Sequence, residues 1–245
     1  MPRPAPRRHV LVLTLLLCCT AALLLFHQAF TSPVALLARI RTPVRAMSTT
    51  TTAAADGSAW FRLPAEVRPT HYDLTIVSDL DRLEYAGVVT ATLDIRGNTS
   101  SIAFNAAEGL RLSHVRVDAA GVQPAPIAPQ IDTAHERVTV PLGTTLPAGT
   151  RAALTVAFAR PIDGSMMGYY HSTWEHEGRR GNYALTQFEP TSARRAFPSW
   201  DEPELKATYA VQLVHRPSTT ALSNMPAADE RAIDTAQLAD LLRAA

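Results

Sequence analysis

From about residue 60 onward, apolar and polar residues alternate along much of the chain with a period of two. In the segment HYDLTIV (71–77), the residues Tyr72, Leu74 and Ile76 fall on one face of an extended chain. The same alternation occurs in three further segments, VTATLDI (89–95), LTVAF (154–158) and YAVQL (209–213). A period of two is typical of half-buried β-strands, whereas an amphipathic helix repeats every 3.6 residues. The pattern therefore predicts several strands.

Turn-forming residues separate these runs. RGNTS follows Ile95, PLGTTLPAGT covers residues 141–150, and PIDGS lies near residue 163. Short alternating strands separated by Gly, Pro, Asn and Asp predict an all-β fold, an antiparallel β-sandwich. No internal repeat with a fixed period accompanies them.

The N-terminal residues 1–46 form a basic and apolar leader. Val10 to Phe26 is a run of 17 residues without a charge, preceded by three arginines. As an N-terminal apolar helix it would reach about 25 Å, just short of the ~30 Å hydrocarbon core of a membrane. Four interpretations stay open: a signal anchor in a membrane, a cleaved signal peptide, an organellar presequence, and a cytoplasmic protein that starts at Met47.

Three further segments follow the leader. Residues 47–59 are low-complexity and polar, which is typical of a linker. Residues 60–226 hold the predicted sandwich. The tail 227–245 is rich in alanine and leucine and lacks Gly and Pro, so it predicts a short C-terminal helix.

The charges are divided unevenly along the chain. Residues 1–55 hold six arginines and no acid, whereas residues 56–245 hold 17 basic and 22 acidic groups, a net charge of −5. A mildly acidic folded part argues against nucleic acid as the main partner. Both cysteines, Cys18 and Cys19, lie in the leader, so the predicted sandwich has no disulfide, cysteine metal site or cysteine nucleophile.

The segment TQFEPT carries an amide and a carboxylate two residues apart, at Gln187 and Glu189. On a strand that ends at Pro190, the two side chains would project from the same face. A carboxylate there can pair with the α-ammonium group of a peptide while the amide bonds to the first peptide unit. The pair is thus a candidate binding site for peptide N-termini, or alternatively a solvated strand face.

The next residues, SARRAFPSWDEPELK, combine two arginines with three acids. The charged groups are Arg194, Arg195, Asp201, Glu202 and Glu204. We interpret them as ion pairs that brace an irregular loop, with Phe197 and Trp200 as its hydrophobic anchor. Elsewhere, Asn98 in NTS is an acceptor sequence for N-glycosylation if the domain is lumenal.

Several of these blocks resemble one family. RLPAEVRPTHYDLTI, then GYYHSTWEHEG, then YALTQFEPTSARRAFPSWDEPELKATYAVQLVHRPSTTALSNMP are similar to the zinc aminopeptidases related to aminopeptidase N and puromycin-sensitive aminopeptidase. The resemblance covers about residues 61–226. It implies a saddle-shaped sandwich that forms the N-terminal domain of a larger enzyme, in which Gln187 and Glu189 hold the N-terminal residue of the substrate. Family members usually have Asp and Cys where this chain has Ser192 and Ser199, positions not expected to touch substrate.

The chemistry of that family needs a zinc ion bound by H-E-x-x-H and a later Glu. None of the eight histidines in the sequence begins such a motif, and G-A-M-E-N is also absent from it. His171 and His176 are five residues apart, which does not place them on one helical face. The sequence therefore predicts no cofactor in this chain, although the full-length family enzyme uses zinc.

The tail does not resemble the continuation of the family. A truncated gene model, a retained intron and a short splice form would each explain the change. Three functions stay open: the substrate-anchoring part of an aminopeptidase whose catalytic domain is encoded elsewhere, a non-catalytic module that binds peptide N-termini or pairs with a full-length relative, and a membrane-tethered domain with an adhesive role.

Overall fold

Ten β-strands and one short 3-10 helix make up the regular structure of the described residues in the computed structural model. The structure describes residues 62–123 and 125–234. The strands are β1 (Val67–Asp79), β2 (Glu84–Ile95), β3 (Thr99–Asn105), β4 (Arg111–Asp118), β5 (Gln130–Asp132), β6 (Arg137–Leu146), β7 (Arg151–Pro161), β8 (Gly168–His176), β9 (Arg179–Gln187) and β10 (Thr208–Val214), and the 3-10 helix is Ala193–Arg195. The prediction of an all-β fold is confirmed for this part of the chain.

The strands form three sheets. A five-stranded sheet has the order β10-β1-β2-β7-β4, a three-stranded sheet the order β3-β6-β5, and β8 and β9 form a hairpin. Neighbouring strands are antiparallel except for β10, which pairs in parallel with β1. The purely antiparallel arrangement predicted from the sequence is wrong for β10. Parallel neighbours need a long connection, and residues 80–207, which include β2 to β9, connect β1 to β10.

The alternating residues of the predicted strands point into a common core. Tyr72, Leu74 and Ile76 of β1 are buried, and so are the matching residues of β2 and β7. These matching residues are Val89, Ala91, Leu93, Ile95, Leu154, Val156 and Phe158. The three-stranded sheet contributes Ile102, Phe104, Val138 and Val140 to the same core. The two sheets therefore pack face to face, as the sequence predicts for a sandwich.

Strand β10 differs from the other predicted strands. Tyr209, Val211 and Leu213 do share one face, opposite Tyr72, Leu74 and Ile76 of β1 in the register of the pair. However, they are 50%, 48% and 38% exposed, so the apolar face of the sheet continues onto β10, where other described residues cover it only in part. A half-exposed apolar face at a sheet edge is a feature of a surface that contacts another protein segment.

The segment 141–150, predicted as a turn, is mostly strand. Strand β6 continues to Leu146, and only residues 147–150 form the turn to β7. The β6 register shifts by several residues between the pairs Ser101–Pro141 and Thr99–Leu146, and Gly143 in this irregular stretch has a φ of 68°. Pro141 and Gly143, which suggest a turn in the sequence, therefore mark a β-bulge within a strand.

The predicted helices fall largely outside the described residues. This holds for the apolar run Val10 to Phe26 and for residues 235–245 of the tail, and the predicted linker of residues 47–59 also lies outside the described residues. The described tail residues 227–234 form no helix. Among all residues that the structure describes, no helix is long and apolar enough to cross a membrane.

Candidate functional site

The candidate site lies where the β8–β9 hairpin ends. Gly168, the first residue of β8, is directly opposite Gln187, the last residue of β9. The chain then enters the loop of residues 188–207, which leads through the short 3-10 helix to β10. We call Gln187 and Glu189 the anchor pair and residues 188–204 the signature loop.

The anchor pair is exposed, but its two members are not both on the strand. Strand β9 ends at Gln187, three residues before the predicted end at Pro190, and Glu189 lies in the following turn. The Gln187 side chain donates a long hydrogen bond of 3.5 Å from Nε2 to the main-chain oxygen of Glu189. The two side chains therefore lie close together because of the turn. The sequence predicted instead that they project from the same face of one strand.

The carboxylate of Glu189 makes no hydrogen bond or ion pair with any residue that the structure describes. It differs in this respect from Asp201 and Glu202 of the same loop, which are both paired. An exposed carboxylate beside a primary amide, on a loop that is otherwise braced, can accept a charge-assisted hydrogen bond from an ammonium group.

Local packing holds the first turn of the signature loop. The main-chain nitrogen of Ser192 donates to the oxygen of Phe188 at 2.7 Å. The Phe188 ring meets the buried ring of Phe197 edge-on, with 6.0 Å between centroids. Ser192 is itself buried, as is Ser199. The two family departures therefore lie in the interior, whereas the anchor pair is exposed.

The core tyrosine Tyr85 ties the loop to strand β2. Its hydroxyl lies 2.8 Å from the main-chain oxygen of Ala196 and 3.1 Å from that of Arg195, and donates to this pair of carbonyls. Arg160 of β7 adds a longer hydrogen bond of 3.4 Å to the Arg195 oxygen. Burial is the main cause that raises the pKa of Tyr85, so the hydroxyl stays protonated and remains a donor.

Ion pairs add a second set of braces. The Arg194 guanidinium donates from Nε to the Asp201 carboxylate at 2.9 Å and lies 3.5 Å from Glu136. Arg62, before β1, pairs with Glu202 at 3.2 Å, and Glu202 also accepts the main-chain N–H of Leu63 at 2.5 Å. Arg194 and Glu202 therefore tie the loop to distant parts of the chain.

Arg195 behaves differently from Arg194. No carboxylate within the described ranges comes close enough to form an ion pair with its guanidinium, so the predicted pairing is not seen for this residue. Its main chain, in contrast, accepts the hydrogen bonds from Tyr85 and Arg160. Arg195 thus contributes to the loop through its backbone.

An aromatic cluster anchors the far end of the loop. Trp200 and Phe197 are buried against Tyr72, and the main-chain N–H of Trp200 donates to the Tyr72 hydroxyl at 3.1 Å. Tyr209 of β10 stacks on Tyr72 with 4.7 Å between ring centroids. Asn105 and Ser199 exchange main-chain hydrogen bonds of 2.8 and 3.1 Å, which joins this end to β3.

The described residues do not provide a zinc site. His171 and His176 lie on opposite faces of β8, because their separation in the strand is odd. The Nδ1 of His171 is 2.8 Å from the main-chain oxygen of Ile162, and His176 is exposed beside Glu177. No group of three or more metal-binding side chains comes together in residues 62–123 and 125–234.

A comparison with protein families decides what kind of domain this is. The sequence profile of the peptidase M1 N-terminal domain matches residues 68–239. The chain belongs to the peptidase M1 N-terminal domain family. The match includes all of β1 except its first residue, the strands β2 to β10, the anchor pair and the whole signature loop, and it continues into the tail that the sequence alone sets apart.

Curated relatives of this M1 N-terminal domain are aminopeptidases. Aminopeptidase M1-A of Oryza sativa subsp. japonica is 36% identical over 179 residues, which cover 69% of this chain and 20% of the relative. Aminopeptidase M1 of Arabidopsis thaliana is 38% identical over 173 residues, with the same coverage. Glutamyl aminopeptidase of Bos taurus is 32% identical over 184 residues, covering 71% of this chain and 19% of the relative. The chain therefore spans about a fifth of the length of these relatives.

Two residues that position the site were not identified from the sequence. Tyr85 is an ordinary core position in an alternating strand, and its bond to Ala196 spans 111 residues of sequence. Gly168 is one of 11 glycines, and nothing in the local pattern marks its contact with Arg195. The block GYYHS that contains Gly168 could have drawn attention to this position, but not to its role.

Proposed function

We propose that this M1 N-terminal domain is the substrate-anchoring part of a zinc-dependent aminopeptidase that removes N-terminal residues from peptides. The observation that carries the proposal is the exposed Glu189 carboxylate, which has no partner among the described residues and lies beside Gln187 on a braced loop. The names of the relatives, all aminopeptidases, support the same reaction class.

The proposed anchoring follows from the chemistry of the two side chains. The Glu189 carboxylate pairs with the α-ammonium group of the peptide, while the Gln187 amide bonds to the first peptide unit. A peptide with a blocked N-terminus offers no ammonium group, so it loses the charge-assisted hydrogen bond. The pair therefore selects free N-termini, but it does not by itself cleave a peptide bond.

Catalysis requires groups that these 245 residues do not contain. The sequence holds neither H-E-x-x-H nor G-A-M-E-N, and the described histidines do not form a zinc site. We infer that the chain alone hydrolyses nothing and that peptide cleavage needs a separate catalytic domain, which would bind the zinc ion. Peptide hydrolysis by the purified chain that persists after contaminating metalloenzymes have been removed would overturn this inference.

The test of anchoring is a binding measurement on the purified chain. A hexapeptide with a free N-terminus should bind, and the N-acetylated form of the same peptide should bind at least about tenfold more weakly. A tenfold weaker affinity corresponds to a lost interaction of about 1.4 kcal/mol. Glu189→Gln should abolish the difference in affinity between the two peptides. Glu175→Gln is the matched control, because it removes the same charge from an exposed position on β8. Equal binding of both peptides to the unchanged chain would exclude the anchor.

A second candidate is a non-catalytic module that pairs with a full-length relative. The half-exposed apolar face of β10, with Tyr209, Val211 and Leu213, favours it. Val211→Lys should then prevent co-purification with a co-expressed full-length aminopeptidase. Leu222→Lys is the control, since Leu222 is also exposed but lies beyond the strand. Association that survives Val211→Lys would remove β10 from this candidate.

A further inference from the structure

Asn98 lies in the tight turn between β2 and β3, at the surface of the sandwich. Asn98, Thr99 and Ser100 form the one N-x-S/T sequence among the four asparagines of the printed chain. None of the contacts of the signature loop involves this turn. The acceptor sequence of residues 98–100 is therefore available for a role separate from peptide anchoring.

The side chain of Asn98 is held by its oxygen. The main-chain N–H of Ala148 donates to Oδ1 at 3.0 Å. The same neighbouring turn is tied to the end of β2, because Gly149 donates to the Ile95 oxygen at 2.7 Å and Ile95 donates to the Thr150 oxygen at 3.0 Å. The amide nitrogen Nδ2, in contrast, makes no hydrogen bond within the described part of the chain.

The two hydroxyl groups of the sequence are also distinct. The Thr99 hydroxyl is engaged with the main chain of Ser101, donating at 2.7 Å and accepting at 3.3 Å. The Ser100 side chain is exposed and makes no hydrogen bond among the residues that the structure describes. The hydroxyl two positions after the asparagine, which the acceptor sequence requires, is therefore accessible.

We propose that Asn98 is an N-glycosylation site and that the sandwich is consequently a lumenal or extracellular domain. A lipid-diphosphate-linked oligosaccharide is the donor. The Nδ2 atom forms a bond to C1 of the first sugar, the bond from C1 to the diphosphate oxygen breaks, and Nδ2 loses one proton. Oδ1 keeps its lone pairs, so the hydrogen bond from Ala148 persists in the modified protein.

The fold separates this site from the anchor pair. Tyr85, which contacts the signature loop, and Ile95, which precedes the Asn98 turn, are ten residues apart on β2. At about 3.3 Å per residue, the two ends of that strand segment are about 33 Å apart. A glycan on Asn98 therefore projects from the end of β2 remote from the Arg195–Ala196 part of the signature loop, which Tyr85 contacts, and leaves the anchor pair accessible.

Entry into the lumen requires a targeting segment, and the basic residues followed by the uncharged run of residues 10–26 have the composition of one. That run lies outside the described residues. The full chain, with its own leader, is therefore the protein to test.

The experiment is translation of the full chain with rough microsomes, followed by endoglycosidase treatment and gel electrophoresis. One glycan-sized increase in mass, removed by the glycosidase, is expected. Ser100→Ala and Asn98→Asp should both abolish it, and Ser100→Thr should retain it. Asn98→Asp keeps the oxygen that accepts from Ala148, so loss of the glycan in this variant does not reflect a disrupted turn.

Protease added to the intact microsomes separates the outcomes. A protected chain without the increase in mass would overturn Asn98 as an acceptor, and so would an increase that persists in Ser100→Ala. A chain that stays outside the microsomes and is digested would overturn the lumenal assignment. A protected chain that loses its single glycan only in the variants without the acceptor sequence supports both parts of the proposal.

Discussion

Gly168 and Gln187 lie directly opposite each other at the open end of the β8–β9 hairpin, and Gly168 packs on the 3-10 helix of the signature loop. A Cβ atom at Gly168 would lie 2.6 Å from the Cβ of Arg195 and 3.4 Å from the main-chain oxygen of Ser192. Gly168 also has a φ of 73°, which favours glycine. The strand end that carries Gln187 and the loop that carries Glu189 are therefore brought together by a contact that only glycine permits.

Replacing Gly168 tests this contact. Gly168→Ala should reduce the free energy of unfolding by about 2–4 kcal/mol, because the left-handed backbone costs about 1–2 kcal/mol and the clash with Arg195 adds a similar amount. Gly121→Ala is the matched control, since Gly121 has a φ of 82° and nothing within 4 Å of its virtual Cβ. Urea denaturation of both variants measures the difference. Equal losses would show that the contact with Arg195 has no energetic weight.

Tyr85 should stabilise the signature loop through its hydroxyl. Tyr85→Phe removes the hydroxyl that donates to the Ala196 oxygen, so this buried carbonyl loses that hydrogen bond. The free energy of unfolding should therefore fall by about 1–3 kcal/mol. Tyr183→Phe, at an exposed position on β9, should change it by less than about 0.5 kcal/mol. Thermal and urea unfolding report stability, and amide exchange of residues 192–197 reports the loop. Unchanged exchange in Tyr85→Phe would contradict the assignment.

Alkaline pH should destabilise the sandwich. Burial is the main cause that raises the pKa of both Tyr72 and Tyr85. The unfolded chain releases these protons near pH 10, whereas the folded protein retains them, so the unfolded state binds fewer protons above that pH. The stabilisation is complete below about pH 10 and is lost as the pH rises further, by up to about 1.4 kcal/mol per pH unit for each tyrosine. Urea midpoints that stay constant from about pH 8 to about pH 11.5 would refute this expectation, and Tyr85→Phe should make the decline less steep.

Arg216 should stabilise the end of β10. Its guanidinium donates to the buried carboxylate of Asp79 at 3.1 Å and also contacts Asp81, so it joins the segment after β10 to the β1–β2 turn. Arg216→Ala leaves Asp79 buried without its cation and should cost about 2–3 kcal/mol. Arg151→Ala, which removes an exposed pair 4.0 Å from Asp94, should cost less than about 0.5 kcal/mol. Comparable losses in the two variants would show that burial of Asp79 does not matter.

Local pattern was sufficient for the parts of the fold that depend on one strand at a time. The alternation in β1, β2 and β7 identified both the strands and their buried faces, because successive side chains of an extended backbone point to opposite sides. Pro141 and Gly143 misled the same reasoning, since turn-forming residues also accommodate a β-bulge within a strand. The candidate site was predicted from its sequence block, which lies within the residues that the family match covers.

The sequence by itself thus determined an all-β domain and its main core residues, whereas peptide binding by the anchor pair stays a prediction. Only the tertiary structure decided that β10 runs parallel to β1, that its apolar face is only partly covered by the described residues, and that Tyr85 and Gly168 position the signature loop. Side-chain alternation is a property of a few consecutive residues, whereas these contacts join residues up to 137 positions apart. Their formation depends on how the whole chain closes its loops and packs, and no short segment encodes that outcome.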